Sequence, residues 1–269
     1  TRILALLLLC VLVLPGCKTM FQAVEAVDDA IGPDYVESVS FMDREVFIAY
    51  PDSITQHRRM PVVVHLHGAA NGAQEEMERS GLLSAASHLE YIAVFPAAGS
   101  GAWDLSGDGD LEYLSGLVDE LVEAHRADPQ RIYVSGVGNG GAMALRLGCA
   151  LSQSIAGVAS LSGALVNDSC RMAKSVPVLL YHATHDAMVP YVGGPTPSDA
   201  GLPDSIMAAE AAAQLLAEKN GCLEVPMRSG QANQLQKTIY VGPSGGNDVV
   251  LYAMDSDVHG WPDKQDDVN

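Results

Sequence analysis

Basic residues are scarce in this chain. Lysine and arginine together number 15 in 269 residues, against 33 aspartates and glutamates, and the formal net charge is −18. Phosphate backbones are held by clustered positive charge, so nucleic acid is not an expected partner. Long apolar runs are lacking too. The run from Ile3 to Leu14 is too short to cross a bilayer comfortably. There is no internal repeat and no low-complexity segment. The loop from Ala97 to Asp110 carries Asp104, Asp108 and Asp110, but these do not follow EF-hand spacing and no glutamate is placed to close a calcium shell. No metal and no cofactor is expected. One further absence, a single hydroxyl at position 138, governs the functional reading.

What is present suits one well-buried domain. The chain is 48% hydrophobic, and its length is ample for a single α/β domain and short for two. Arg2 followed by Ile3–Leu14 has the form of a signal-peptide core. Leu14-Pro15-Gly16-Cys17 then has the form of a bacterial lipobox, which predicts a lipid anchor to the membrane at Cys17. An ordinary signal peptide with a chance cysteine is the alternative. Lys18, in place of an aspartate, argues against retention in an inner membrane. The organisation expected is a signal peptide with lipobox over 1–17, a tether over 18–37, and a folded domain over 38–269. The chain begins at Thr1 rather than methionine and reads as a fragment at that end.

Periodicity gives the elements. Ser38 to Tyr50 suits an edge strand, with a turn at Asp43-Arg44. Pro61–Leu66 is a continuous apolar run, as in a buried parallel strand. A helix is expected over about Glu75–Leu89 and a strand over Tyr91–Phe95. Leu111, Leu114, Leu117, Val118, Leu121 and Val122 recur at helical spacing, and Asp128-Pro129 is read as the stop of that helix. Strands are expected at Arg131–Ser135, Ile155–Leu161, Val176–His182, Thr238–Val241 and Val249–Ala253. A helix lies between Gly201 and Gly221, capped by Asp204 or Ser205 and ended by Asn220-Gly221. Strands alternating with helices predict an α/β fold: a mostly parallel sheet with helices on both faces.

Between Arg131–Ser135 and a small-residue helix from about Ala142 to Cys149 lies Gly136-Val137-Gly138-Asn139-Gly140-Gly141. Strand, glycine-tight turn and helix is the context of the nucleophile elbow of α/β-hydrolases, written G-x-S-x-G. Gly136 and Gly140 fit, but Gly138 stands where the serine belongs. A triad in that fold runs nucleophile, acid, histidine, each at the C-terminal end of a strand. Asp186 follows Val176–His182 and is the candidate acid. His259 follows Val249–Ala253 and is the candidate base. His67-Gly68, after Pro61–Leu66, is in register to supply one oxyanion donor. Of the remaining histidines, His65, His67, His182 and His185 are read as structural or as lining the cleft.

These stretches together resemble the polyhydroxybutyrate depolymerase and feruloyl esterase family of secreted α/β-hydrolases. The resemblance is carried by His67-Gly68, Trp103-Asp104, Asp128-Pro129 through Tyr133, Gly136 to Met143, and His185-Asp186 with Val189-Pro190-Tyr191. Asn220-Gly221-Cys222, Val250-Leu251-Tyr252 and His259-Gly260-Trp261-Pro262 add to it. It implies hydrolysis of carboxylic esters, small or polymeric, through an acyl-serine. The oxyanion donors implied are the backbone N–H of Asn139 and one from Ala69 or Ala70, with His67, Trp103 and Trp261 at the substrate cleft. Three departures stand out. Gly138 replaces the serine. The partner that the resemblance gives Cys222 would fall in Tyr240–Pro243, where there is no cysteine; Cys149 with Cys170 is then the preferred pair, leaving an odd thiol. The chain also stops shortly after Trp261-Pro262, where the resemblance implies a further helix, so the domain reads as cut short. Two readings follow: an ester hydrolase weakened or silenced by Gly138, or a non-catalytic surface lipoprotein that binds an ester polymer, a sugar ester or a partner in the retained cleft. A structural envelope protein with a relic cleft ranks third.

Overall fold

A computed structural model describes residues 35–51, 53–54, 58–230, 235–243 and 246–261. The signal peptide, the lipobox with Cys17, most of the tether and Pro262 onward lie outside the described residues. The chain enters the sheet at Tyr35, three residues inside the stretch read as a tether.

β1 (Tyr35–Phe41) and β2 (Arg44–Tyr50) form a hairpin rather than one interrupted edge strand. The turn is Met42-Asp43, both at positive φ, as a two-residue hairpin turn of matching twist requires. Arg44 is already in the strand. β3 (Met60–Leu66) and β4 (Ile92–Pro96) are wholly buried. Between them the single helix expected over Glu75–Leu89 is two, α1 (Ala73–Arg79) and α2 (Leu82–Leu89), broken where Gly81 takes φ 72°. α3 (Gly109–Glu123) precedes β5 (Ala127–Val137), and Asp128-Pro129 belongs to that strand, not to the helix end. The register between β3 and β5 shifts between Met60 and Val62, and such an irregularity accommodates a proline that cannot donate to the ladder.

α4 (Asn139–Ala150) starts at the residue after Gly138, three residues ahead of the sequence reading. β6 (Gly157–Leu161) and β7 (Val178–Ala183) follow. β8 (Gly194–Pro195) and β9 (Ser205–Ile206) pair as a small separate ribbon. Ser205 is therefore a strand residue, and α5 (Ala209–Lys219) opens at Ala208 with no side-chain cap. The expected cap at Asp204 or Ser205 is displaced by this ribbon. β10 (Met227–Gly230), β11 (Leu235–Tyr240) and β12 (Val249–Met254) complete the sheet.

The ten strands run β1-β2-β4-β3-β5-β6-β7-β12-β11-β10. The six from β4 to β12 are mutually parallel, and the two outer strands on each side are antiparallel. Alternation along β3 divides the core. Val62, Val64 and Leu66 join Leu114, Leu117, Met143 and Leu216 of α3, α4 and α5 on one face. Val63 joins Met77 of α1 and Leu82 of α2 on the other. Both faces are thus covered, as a parallel sheet demands. Cys149, in the last turn of α4, is disulfide-bonded to Cys170, and Cys222 is a free thiol. No described helix is long and apolar enough to cross a membrane.

Candidate active site

Every candidate residue sits past the C-terminal end of a parallel strand, the edge at which open α/β sheets bind their ligands. β5 runs into Gly138, whose backbone takes φ 54° and ψ −118°. L-residues visit that region only under strain, and glycine removes most of the cost. The turn is held from both sides: Gly138 N–H donates to the Leu161 carbonyl at 2.9 Å, and its own carbonyl accepts from Ala142 N–H at 3.0 Å. The flanking glycines are required by contact. A Cβ on Gly136 would collide with the backbone of Gly140, and one on Gly140 with the carbonyls of Leu66 and His67. Strand β5, the start of α4 and the end of β3 therefore meet backbone to backbone.

Asp186 and His259, 73 residues apart, are joined. His259 Nδ1 lies 2.9 Å from Asp186 Oδ2 and 3.1 Å from Oδ1. A carboxylate only accepts, so Nδ1 carries the hydrogen and Nε2 is left as the basic edge of the ring. Asp186 is buried, and its Oδ1 accepts the backbone N–H groups of Met188 and Val189, both at 2.9 Å. Burial works to raise this carboxyl. The His259 ring, the Val189 N–H and the Ser162 hydroxyl outweigh it and hold the group below the ordinary aspartate range. The fixed orientation resembles the acid–imidazole pair of a hydrolase triad in its geometry.

Nε2 faces the elbow. A Cβ built on Gly138 would stand 2.8 Å from His259 Nε2 and 3.3 Å from Cε1. The room expected for a serine side chain is thus partly filled by the imidazole edge, because nothing larger than hydrogen holds the ring back. The side chain of His259 is one-third exposed, so water reaches it.

The oxyanion candidates converge as well. Asn139 is the first residue of α4, and its N–H is one of the donors a helix N-terminus leaves without an intrahelical partner. A Cβ on Gly201, at φ 65°, would stand 2.6 Å from the Cβ of Ala69 and 3.5 Å from that of Asn139, so Ala69 and Asn139 lie side by side beneath Gly201. Ala70 follows in the same turn, which closes through Asn71 N–H to the Gly68 carbonyl at 3.3 Å.

Two residues that the resemblance places at the cleft are tied into its frame. His67 and Trp103 are each 2% exposed. His67 Nδ1 donates to the Gly68 carbonyl at 2.8 Å, and Nε2 accepts Ala98 N–H at 3.0 Å. Burial drives its protonation equilibrium down, and the ring serves as a neutral brace. Trp103 Nε1 donates to the His67 carbonyl at 3.0 Å. Trp261 is half-buried, with its indole N–H turned inward to Glu76 at 2.9 Å.

Of the remaining residues at the site, Ser162 carried no sequence signal, whereas His182 and Asn139 did. Ser162, just past β6, is fully buried at φ 48°, and its Oγ accepts Gly260 N–H at 3.1 Å beside the Asp186 carboxylate. His182, also buried, donates from Nε2 to the Val189 carbonyl at 2.7 Å and so closes the Asp186 turn. The Asn139 side chain grips the neighbouring loop: Oδ1 accepts Trp103 N–H at 2.7 Å, and Nδ2 donates to the carbonyls of Trp103 and Gly201. Among the described residues, no group of three or more His, Cys, Asp or Glu side chains is placed to hold a metal ion.

A mostly parallel sheet covered on both faces, an ε-like turn between strand and helix, and an acid–histidine pair reaching that turn from later strands define the α/β-hydrolase fold. The comparisons agree with this class. The phospholipase/carboxylesterase family matches residues 108–200, the stretch that contains the elbow and Asp186. Feruloyl esterase B of Piromyces equi is 26% identical over 229 residues, covering 80% of this chain and 42% of that protein. A putative esterase, NocK, of Nocardia uniformis subsp. tsuyamanensis is 37% identical over 145 residues, covering 49% of this chain and 42% of that protein. The chain spans about two-fifths of the length of both relatives. Among solved structures, an acetyl xylan esterase from Aspergillus awamori superposes with a TM-score of 0.68 at 14% identity, over 87% of this chain and 97% of that one. Together these matches support an esterase-type α/β-hydrolase family.

Proposed function

We propose that this chain is built as a carboxylic-ester hydrolase of the feruloyl esterase and polyhydroxybutyrate depolymerase type, with its nucleophile removed at Gly138. The observation that carries the reading is the Asp186–His259 pair with Nε2 turned onto the one turn where a serine would stand. In the serine form, His259 takes the hydroxyl proton as Oγ attacks the ester carbonyl. The Asn139 and Ala69 or Ala70 N–H groups receive the charge that develops on oxygen, and His259 then returns the proton to the departing alkoxide. Asp186 holds the imidazole tautomer and stabilises the imidazolium. With Gly138, no acyl-enzyme forms. His259 acting on water is the remaining route, a general-base effect typically worth about 10²–10⁴-fold.

The relatives include, by name, a feruloyl esterase and a bifunctional acetylxylan esterase/xylanase. The substrates proposed here are short acyl and aryl esters, free or on a polymer. The protein as written turns them over very slowly or not at all, and Gly138→Ser restores turnover that disappears again with His259→Ala. Assay of the four proteins on an ester panel decides it. A folded Gly138→Ser protein with no activity would reject this reading.

A second reading, the non-catalytic lipoprotein that binds an ester polymer, sugar ester or partner, is favoured by one observation. The imidazole edge stands inside the space a Cβ at 138 needs, as in a cleft no longer kept open for a nucleophile. Lipidation at Cys17 is part of both readings, with Leu14-Pro15-Gly16-Cys17 as its support. A lipid anchor with a second hydrophobic chain holds a protein stably at a membrane. The expected outcome is that the Cys17→Ala protein leaves the membrane fraction; its retention there at the wild-type level would remove the anchor proposal.

A further inference from the structure

The site is assembled from four chain segments far apart in sequence: the turn after β3, the elbow after β5, the Asp186 loop after β7 and the His259 loop after β12. Beneath them lies a polar chain in an otherwise apolar layer. Ser135 of β5 meets His65 of β3, Oγ to Nδ1, at 2.7 Å. His65 Nε2 lies 3.0 Å from Oε1 of Glu76 in α1. The same Oε1 accepts the indole N–H of Trp261 at 2.9 Å, and the rings of His65 and Trp261 lie 5.7 Å apart. His65, Glu76 and Ser135 are each 1–2% exposed.

Such a chain is costly unless every member is satisfied, because a buried carboxylate without donors is strongly destabilising. Burial works to raise the Glu76 carboxyl, and the donors from His65, Trp261 and Asn71 outweigh it and hold it ionised. The ionised group only accepts, so the hydrogens of both contacts sit on His65 Nε2 and on the indole.

Trp261 is two residues from His259. The turn between them is fixed at one further point, Gly260 N–H to Ser162 Oγ. Asp186 fixes the imidazole in its plane, but a hydrogen bond to one ring nitrogen leaves the loop free to slide along it. Glu76 supplies the remaining restraint, against the two strands that end in the oxyanion turn and the elbow.

We infer that Glu76 is a positioning residue that sets the reach of His259 Nε2 toward position 138 by anchoring Trp261 to β3 and β5 through the His65–Ser135 pair. The inference rests on the ester-hydrolase reading of the same site. It takes the indole N–H out of any polar contact with a substrate, since that hydrogen is spent on Glu76.

The test uses Gly138→Ser as the active background and the Gly138 protein for spectroscopy. Trp261→Phe keeps an aromatic ring, removes the N–H and leaves the His65–Glu76 bond in place, so the fold survives. In the serine background it lowers kcat by about ten- to a hundredfold, the effect of a misplaced reacting group, with KM within about twofold. Glu76→Ala gives a similar loss, and Glu76→Gln, whose amide oxygen still accepts both hydrogens, recovers most of it. Trp261→Phe combined with Glu76→Ala is no worse than the poorer single variant, since both break one contact. In the Gly138 protein, the Nδ1 proton resonance of His259 broadens or shifts in Trp261→Phe and keeps its position in Glu76→Gln. Unchanged kcat and an unchanged resonance in Trp261→Phe overturn the inference, as do losses that multiply in the double variant. If Gly138→Ser is silent, the esterase reading fails by itself, and the resonance alone decides whether Glu76 positions the ring.

Discussion

The two halves of the candidate site have fared differently. The acid–base half is complete: Asp186 is buried, takes three kinds of donor, and holds His259 at 2.9 Å. The nucleophile half keeps all its backbone and none of its chemistry. Gly138 retains the strained turn, Asn139 begins the helix, and Gly136 and Gly140 still bring β5, α4 and β3 into backbone contact. The difference shows which parts of a catalytic site belong to the fold. The turn, the helix start and the carboxylate–imidazole pair are fixed by packing and buried hydrogen bonds. Position 138 carries no side chain, and the contacts that hold the turn are made by backbone.

The largest expected effect is on turnover. Gly138→Ser should raise ester hydrolysis by about 10³-fold or more, since single removal of a triad nucleophile costs up to about 10⁶ in kcat. Accepting the new Cβ requires the His259 ring to swing outward from its 2.8 Å approach. A crystal structure of the variant should therefore show Nε2 withdrawn to hydrogen-bond distance from Oγ, about 2.6–3.2 Å. An imidazole expelled into solvent instead would mean that the two halves no longer match.

Next comes the seam between them. Gly140→Ala drives a methyl group into the carbonyls of Leu66 and His67, which are backbone and cannot rotate away. Overpacking of this kind costs typically about 1–3 kcal/mol, and here the upper end is expected from urea unfolding. Gly201→Ala should cost about 1–3 kcal/mol through its positive φ and its approach to Ala69. An Ala at either position with wild-type stability would show that the contacts at the oxyanion turn are looser than described.

The smallest effect is acid sensitivity. The Asp186 carboxyl titrates below its unfolded value, so the ionised form contributes stability above the unfolded pKa, near 4, and that contribution is lost as pH falls through the folded value. Glu76 acts in the same direction. Thermal unfolding followed from pH 6 to pH 3 should fall steeply, and Asp186→Asn should flatten the slope. The same slope in both proteins would place the acid-labile carboxylates elsewhere.

Much of this was legible in the sequence where one local cause dominated. The apolar run at Pro61–Leu66, the glycine cluster at 136–141 and the order of Asp186 and His259 each reported directly on buried strand, tight turn and strand end. The misreadings have equally definite causes. Asp128-Pro129 looks like a helix stop but lies in β5, because an irregular register lets a proline enter a strand. Glu75–Leu89 shows one helical period across a Gly81 that breaks it. The β8–β9 ribbon overrode the cap at Ser205. The resemblance places Trp103 and His67 at the cleft, and their burial, which no spacing announced, is set by contacts with Asn139 and Ala98. The Glu76–Trp261 contact joins residues 185 apart, and no period or spacing could announce it.

The glycine seam has one more consequence. At positions 136 and 140 any side chain must be accommodated by moving backbone. At position 138 the backbone is equally constrained, but the side chain points away from the seam toward a ring that can yield. A serine codon and a glycine codon differ by one base. Packing therefore holds the frame of the turn square and leaves position 138 as a door on a hinge, where glycine and serine exchange without a change in the frame.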